Sequence, residues 1–387
     1  MGLRVRTPIA LAALLPAVLI GAGCGADAPG PDPGAYPTVA AAADYDAETG
    51  YARGILVESL RIGETLISAQ QIESDLTHGR GGGVLVDHTG TSGPLPAAVR
   101  AALAPFEVLG GFGAVAADTA PSGATPAKSL TVTIVALPGA DLAAAAAGAA
   151  AAADAVDTLP LGIAGQPGVQ GYWRPSTATA GSWLAWKSLA IGISAKFGGA
   201  SGDQLADMLS RAVRAQVSAL TDFVPTPAAG VPKLKLDGDR LLPRLVRTGA
   251  DTPNKLDFAV YGPRAHALLL DRPATRLAEF REQGVTAIAL SHNNQLYRTR
   301  NPETAEGLVR SMSDRLTAQG YETIDAGPGV SGVACYRATQ PDPLVIEARR
   351  YTCLLRHAEF VVRVNSNQDT DVRRLAAAQS MLFEQDR

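Results

Sequence analysis

Between residues 203 and 220, apolar side chains recur at Leu205, Met208, Leu209, Ala212, Val213 and Leu220, with Gln216 in the same stripe. Steps of three and four put these positions on one side of an α-helix, and Asp203 stands at its expected start. Residues 301–319 show the same period at Ala305, Leu308, Val309, Met312 and Leu316, with sharper punctuation. Asn301 is placed to cap that helix, Pro302 falls in its first turn, and Gly320 ends it. A third stripe, Val372, Leu375, Ala376, Gln379 and Leu382 or Phe383, follows Asp369, and a shorter helix is predicted over 273–283 before Gly284. The alanine run 142–153 after Asp141 predicts a small-faced helix. Apolar blocks at 130–137, 189–194, 256–261, 265–270, 285–290 and 360–365 predict strands. Helices and strands alternate in mixed order, so the expected class is α+β.

The order of these elements repeats. Pro167-Gly168-Val169-Gln170-Gly171-Tyr172 recurs as Pro328-Gly329-Val330-Ser331-Gly332-Val333. Each is preceded by a strand-then-helix unit and followed by a strand, at 189–194 and 360–365. A helix carrying Ala-Gln then follows, at Ala215-Gln216 and Ala378-Gln379. Four matches in register predict an internal duplication. Two related domains are expected, each a mostly antiparallel sheet covered by helices, in which about 128–222 superposes on about 285–386. The expected divisions are a signal over 1–23, a Pro/Gly-rich tether over 24–36, domains over 37–223 and 237–387, and a linker over 224–236 containing Pro225, Pro227 and Pro232.

At 387 residues and 47% hydrophobic content, the chain can bury two cores. Its formal charge of −3 excludes a broad basic surface for nucleic acid. Arg4 and Arg6 precede an uncharged stretch, 7–23, that is shorter than the ~20 residues a spanning helix needs and is interrupted by Pro16. That is the pattern of an export signal. Leu19-Ile20-Gly21-Ala22-Gly23-Cys24 resembles a bacterial lipobox, which predicts acylation of Cys24 and anchoring on the outer face of the cell membrane. Cleavage after Ala28 is the competing reading and would give a secreted protein. It is disfavoured because the scissile bond would precede Pro29.

The motif search returns no catalytic signature. Gly111 to Ala116 fits a dinucleotide pattern only loosely, since Pro121 and Gly123 leave no helix behind it. The Gly79–Gly83 stretch lacks the Lys and Ser/Thr of a phosphate loop and reads as a flexible surface loop; Asp237-Gly238-Asp239 reads as a turn. The five histidines stand singly, without metal-ligand spacing. No catalytic, metal or cofactor residue is therefore assigned. Trp173, Trp183 and Trp186 cluster in one segment, as core fillers or as a ligand platform. Apart from Cys24 the chain has Cys335 and Cys353, on strand-like runs of an exported protein, which predicts one disulfide.

Tyr36-Pro37-Thr38, the run 56–62 (Leu-Val-Glu-Ser-Leu-Arg-Ile), Phe223-Val224-Pro225-Thr226-Pro227, the Cys335/Cys353 pair and the terminal Ala376-Ala377-Ala378-Gln379 together resemble a family of uncharacterised two-domain envelope lipoproteins of mycobacteria, nocardiae and their relatives. The resemblance implies envelope localisation and a two-part architecture, and carries no catalytic residue with it. The expected function is a non-catalytic binding or interaction module, partnered with the membrane through its acyl chains and with an envelope ligand or protein. Two other readings stand beside it: a carrier of a lipid or other apolar molecule, which requires a large apolar cavity, and a hydrolase, which requires a Ser or Asp within reach of His88 or His292.

Overall fold

The computed structural model describes residues 30–87, 90–91, 93–121, 125–166, 168–254, 257–340 and 349–385. The first half runs α1 (Tyr51–Gly63), β1 (His78–Val84), the short hairpin β2 (Val86–Asp87) and β3 (Gly90–Thr91), α2 (Ala97–Leu103), β4 (Gly110–Ala117), β5 (Lys128–Ala136), α3 (Ala140–Asp154), β6 (Leu159–Leu161), β7 (Gln170–Arg174), β8 (Thr179–Trp186), β9 (Leu189–Phe197) and α4 (Gly202–Ala219). The second runs β10 (Phe258–Tyr261), α5 (Pro263–Ala267), α6 (Pro273–Glu282), β11 (Ala287–Ser291), β12 (Asn294–Arg298), α7 (Pro302–Ala318), β13 (Tyr321–Ile324), β14 (Val333–Ala338), β15 (Tyr351–His357), β16 (Phe360–Ser366) and α8 (Asp369–Glu384).

Each half folds into one seven-stranded antiparallel sheet. The order is β1-β4-β5-β9-β8-β7-β6 in the first and β10-β11-β12-β16-β15-β14-β13 in the second. Strand for strand the two orders are the same. α3 and α7 both follow the third strand in the sheet, and α4 and α8 both follow the fourth. The two domains are related and of α+β type, as the repeat predicts.

The recurring glutamines do the same job in both copies. Gln216 is fully buried; its Oε1 accepts the Ile67 N–H at 3.1 Å and its Nε2 donates to the Thr65 carbonyl at 3.0 Å. Gln379, also fully buried, accepts the Val246 N–H at 3.0 Å and donates to the Arg244 carbonyl at 2.8 Å. In each domain the amide thus pairs with residues i and i+2 of a segment outside the sheet and satisfies buried backbone groups there. Thr65 and Ile67 lie in and after the turn that follows α1, and Arg244 and Val246 at and after the end of a single 3-10 turn.

The helix boundaries follow from capping. α4 begins at the Ser201/Gln204 capping box, so Asp203 lies in the first turn, where its charge suits the helix dipole. Asn301 Oδ1 accepts the Thr304 N–H at 2.9 Å and starts α7 ahead of Pro302. Cys335 and Cys353 stand directly opposite one another on β14 and β15, both fully buried, and are joined by a disulfide.

Two expectations need correction. Residues 265–270 are not a strand. Pro263 opens α5, and the Glu64 carboxylate accepts the Ala265 N–H at 2.7 Å and the Arg264 N–H at 3.4 Å, satisfying donors that a helix start leaves free. The glycine-rich stretch at 79–83 is the edge strand β1, bulged between Gly79 and Gly82. At Gly82, with φ of 140°, a Cβ would lie 2.3 Å from the Gly113 carbonyl oxygen, so glycine is needed both for conformation and for approach. The segment 224–236 lies along α1: Glu58 accepts the Thr226 N–H at 2.9 Å, and Val231 packs on Gly54.

The halves meet through α1 and α5, through Glu64, and through Tyr45, whose ring stands edge-on to Phe258 at 5.0 Å. Residues 30–36, the end of the expected tether, rest on α8, where Tyr36 donates to Asp371 at 2.6 Å and Arg374 donates to Asp32 at 3.2 Å. No described helix is long and apolar enough to cross a membrane.

Candidate binding cleft in the N-terminal domain

On one face of the first sheet, Thr131 and Thr133 of β5, Gly192 and Ser194 of β9, Gly181 and Trp183 of β8, and Tyr172 and Arg174 of β7 lie side by side in register. The C-terminal end of α3 and the segment Pro94-Leu95-Pro96 close over this face, leaving a cleft of about 170 Å³. Two glycines shape its floor. A Cβ on Gly192 would lie 2.6 Å from the Trp183 ring and 2.8 Å from Thr133 Oγ1; one on Gly181 would lie 2.3 Å from the Tyr172 hydroxyl oxygen. The two aromatic rings can therefore lie over the sheet only because their cross-strand partners carry no side chain.

Asp154 ends α3, where a negative charge opposes the helix dipole. Its placement is supported by two donors: the Tyr172 hydroxyl at 2.7 Å and the Trp183 indole N–H at 3.2 Å, both to Oδ2. Burial raises the Tyr172 pKa well above its ordinary value, and the adjacent Asp154 charge and hydrogen bond raise it further, so the hydroxyl remains a donor. Arg174 donates to the carbonyls of Asp154 at 3.3 Å and Val156 at 3.0 Å, closing the helix end. The cleft thus presents a carboxylate, a guanidinium, threonine and serine hydroxyls and aromatic edges, and its lining includes neither histidine nor cysteine. That set can hold and orient a polar ligand, but it contains no nucleophile paired with a base.

The other candidates fall elsewhere. Cys24 and His88 lie outside the described residues. His292, in the β11–β12 turn, has Nε2 3.1 Å from the Ala250 carbonyl oxygen and its ring beside Phe258. Among the described residues no Ser or carboxylate side chain hydrogen-bonds to it. Gly111 to Ala116 lie within β4, and Asp237 accepts the Leu241 and Leu242 N–H groups at 2.7 and 2.8 Å. No group of three or more metal-ligating side chains occurs among the described residues. The apolar cavity between the halves, bounded by Ile67, Leu76, Leu130 and Leu268, holds about 10 Å³, too little for an acyl chain. An open groove of about 530 Å³ is lined by Glu73, Lys128, Asp207 and Arg211, of which Lys128 pairs with Asp75 and Arg211 with Glu73. Of the three tryptophans, only Trp183 lines the cleft, and its indole is mostly buried.

Family models match both halves, the N-terminal domain of DUF7373 over residues 45–236 and its C-terminal domain over 241–386, each described as a domain of unknown function. The chain belongs to the DUF7373 family. A comparison with curated proteins finds no match. Among solved structures, the chain is similar to the extracellular domain of PknH from Mycobacterium tuberculosis, with 12% identity and a TM-score of 0.28, covering 40% of this chain and 96% of that one. The family models divide between residues 236 and 241, at the end of the Pro-rich segment that lies along α1. The Tyr172–Asp154–Trp183 arrangement could not be read from sequence, because Asp154 ends an alanine-rich helix and is brought to the aromatics only by the strand order.

Proposed function

We propose that this DUF7373 protein is a binding module on the outer face of the cell membrane, anchored by acyl chains on Cys24, whose N-terminal cleft takes one small hydroxylated ring, such as the end of an envelope carbohydrate. The observation that carries the binding half of this reading is the cleft. Acceptors, donors and aromatic edges converge on a space of about 170 Å³ with no catalytic pair among its lining residues. The anchoring half rests on the signal-like start, the residues before Cys24, and the resemblance to envelope lipoproteins of mycobacteria and nocardiae. Residues 30–36 are docked on α8. The five residues between Cys24 and that docked stretch, fully extended, span at most about 18 Å. An acylated Cys24 would therefore hold the C-terminal domain close to the bilayer.

Both halves can be tested on the full-length protein. Metabolic labelling with a radioactive fatty acid is expected to mark the wild type and not Cys24→Ser; a released protein beginning at Pro29 would overturn the anchoring. Titration with monosaccharides and polyols is expected to change tryptophan emission saturably in the wild type, and to do so at least ten-fold more weakly in Asp154→Asn. An unchanged response in that variant would overturn the cleft assignment.

A further inference from the structure

The C-terminal domain builds the equivalent place from different chemistry. The strand registers map β9 onto β16, so Gly192, which faces Thr133 and Trp183, corresponds to Arg363, which faces Gln295 and Leu354. Where the first domain has no side chain, the second raises a guanidinium from the middle of its sheet. Arg363 Nε is buried and has no hydrogen-bond partner. Among the described residues the Arg363 guanidinium has neither a hydrogen bond nor an ion pair.

Its surroundings do not neutralise it. Arg315 of α7 and Arg349 stand near enough to oppose its charge, and Tyr297 and Tyr321 also lie beside it. The nearby carboxylate, Glu279 of α6, is already engaged by Arg315 at 2.6 and 2.8 Å, Arg276 at 3.0 Å and Ser311 at 2.5 Å. Arg349 donates to the Asn293 carbonyl, the Tyr321 hydroxyl to the Arg349 carbonyl, and the Tyr297 hydroxyl to Gln295. On the α5 side lies His266, only 3% exposed, with Nδ1 unpartnered and its ring against Tyr261, Phe280 and Tyr297. Burial, reinforced by the Arg363 charge, pushes its pKa down to about 4, so the ring is neutral at physiological pH.

Arg363 is partly buried as a residue with its Nε enclosed, and a guanidinium cannot shed its charge by losing a proton, so it stays a full cation with no counter-charge bonded to it. Its planar fork matches two oxygens of one oxyanion. We propose that Arg363 anchors an oxyanion site in the C-terminal domain, beside His266 and Tyr297, which takes a phosphate or carboxylate group. The two domains would then bind different chemistry at the same place in one fold, neutral and hydroxylated in the first, anionic in the second. This site does not depend on the reading of the N-terminal cleft.

The test is thermal unfolding of the full-length protein with sodium phosphate, and separately sodium acetate, replacing sodium chloride at constant ionic strength. At least one anion is expected to raise the melting temperature saturably, by roughly 3 °C at ten times its Kd; the comparison decides which oxyanion is preferred. Arg363→Met, whose apolar chain refills the space, is expected to lose the shift, and Arg363→Lys to retain it with about ten-fold weaker affinity. A second reading is local and needs no variant: the His266 ring resonances should move as the bound anion fills the site, and the His266 pKa should rise above about 4. No saturable shift with either anion, an equal shift in Arg363→Met, or His266 resonances indifferent to both anions would overturn the assignment.

Discussion

Replacing Gln379 with leucine tests whether the duplicated glutamine holds each domain together. The amide makes two hydrogen bonds from a fully buried position, at 3.0 Å from the Val246 N–H and at 2.8 Å to the Arg244 carbonyl. Each such bond contributes about 1 kcal/mol net, and each backbone group left unsatisfied in the core costs about 1–3 kcal/mol. Leucine returns some of this through apolar burial, about 1 kcal/mol on area grounds. The balance is a loss of about 3 kcal/mol, and Gln216→Leu should cost a similar amount because its two bonds, at 3.1 and 3.0 Å, have the same geometry. Urea unfolding followed by circular dichroism measures both. Gln379→Glu sharpens the test: a carboxylate can still accept from Val246 but cannot donate to Arg244, so this variant should be weakest at neutral pH and recover as acid protonates it. A loss below about 0.5 kcal/mol in either leucine variant, or no pH dependence in Gln379→Glu, would refute the reasoning.

The other predictions are narrower. Cys335→Ala opens a loop whose ends are 18 residues apart; it should cost about 3 kcal/mol and lower the melting temperature of the C-terminal half while leaving the tryptophan signal, which arises wholly in the N-terminal half, unmoved. Gly192→Ala places a Cβ 2.6 Å from the Trp183 ring, so the indole must shift; we expect about 1–3 kcal/mol of destabilisation and altered tryptophan emission, with an unaltered spectrum counting against the packing described. His266, with its pKa down at about 4, binds fewer protons in the folded than in the unfolded state, so its contribution is fully present above pH ~6.5 and lost as pH falls towards 4. Asp237, raised to about 6 mainly by burial, acts in the opposite sense over an overlapping window, its penalty appearing as pH rises from about 4 to 6. The acid sensitivity is therefore read as the difference between wild type and His266→Phe, expected to be about 3 kcal/mol less sensitive between pH 7 and 4.

The sequence carried the frame of this fold because the frame is written locally. Periodic stripes and capping residues marked α4, α6, α7 and α8, and the matched spacing from the PGVxG elements to Gln216 and Gln379 marked the duplication. The losses are equally physical. The 265–270 run reads as a strand by composition, but Pro263 and the distant Glu64 carboxylate make its start a helix. Gly79–Gly83 has no side-chain signal for a strand and becomes one through β4, which pairs with it across a bulge. β6 and β13 are edge strands of three and four residues, too short to show an alternation of their own. Neither site could be read from one segment. Asp154 meets Tyr172 and Trp183 across a sheet, and the unusual feature of Arg363, a charge inside the apolar run 360–364, gains its meaning only when β12, α5 and α7 surround it.

The most direct test of the binding reading is a native mass spectrum of the full-length protein purified from its own membranes in mild detergent. If the N-terminal cleft holds an envelope ligand, the wild type should carry a discrete adduct beyond the mass of the mature chain and any acyl groups on it. Asp154→Asn, which weakens the acceptor shared by Tyr172 and Trp183, should lose that adduct while keeping its fold. The same adduct, at the same occupancy, in both proteins would contradict the assignment of this cleft as the binding site.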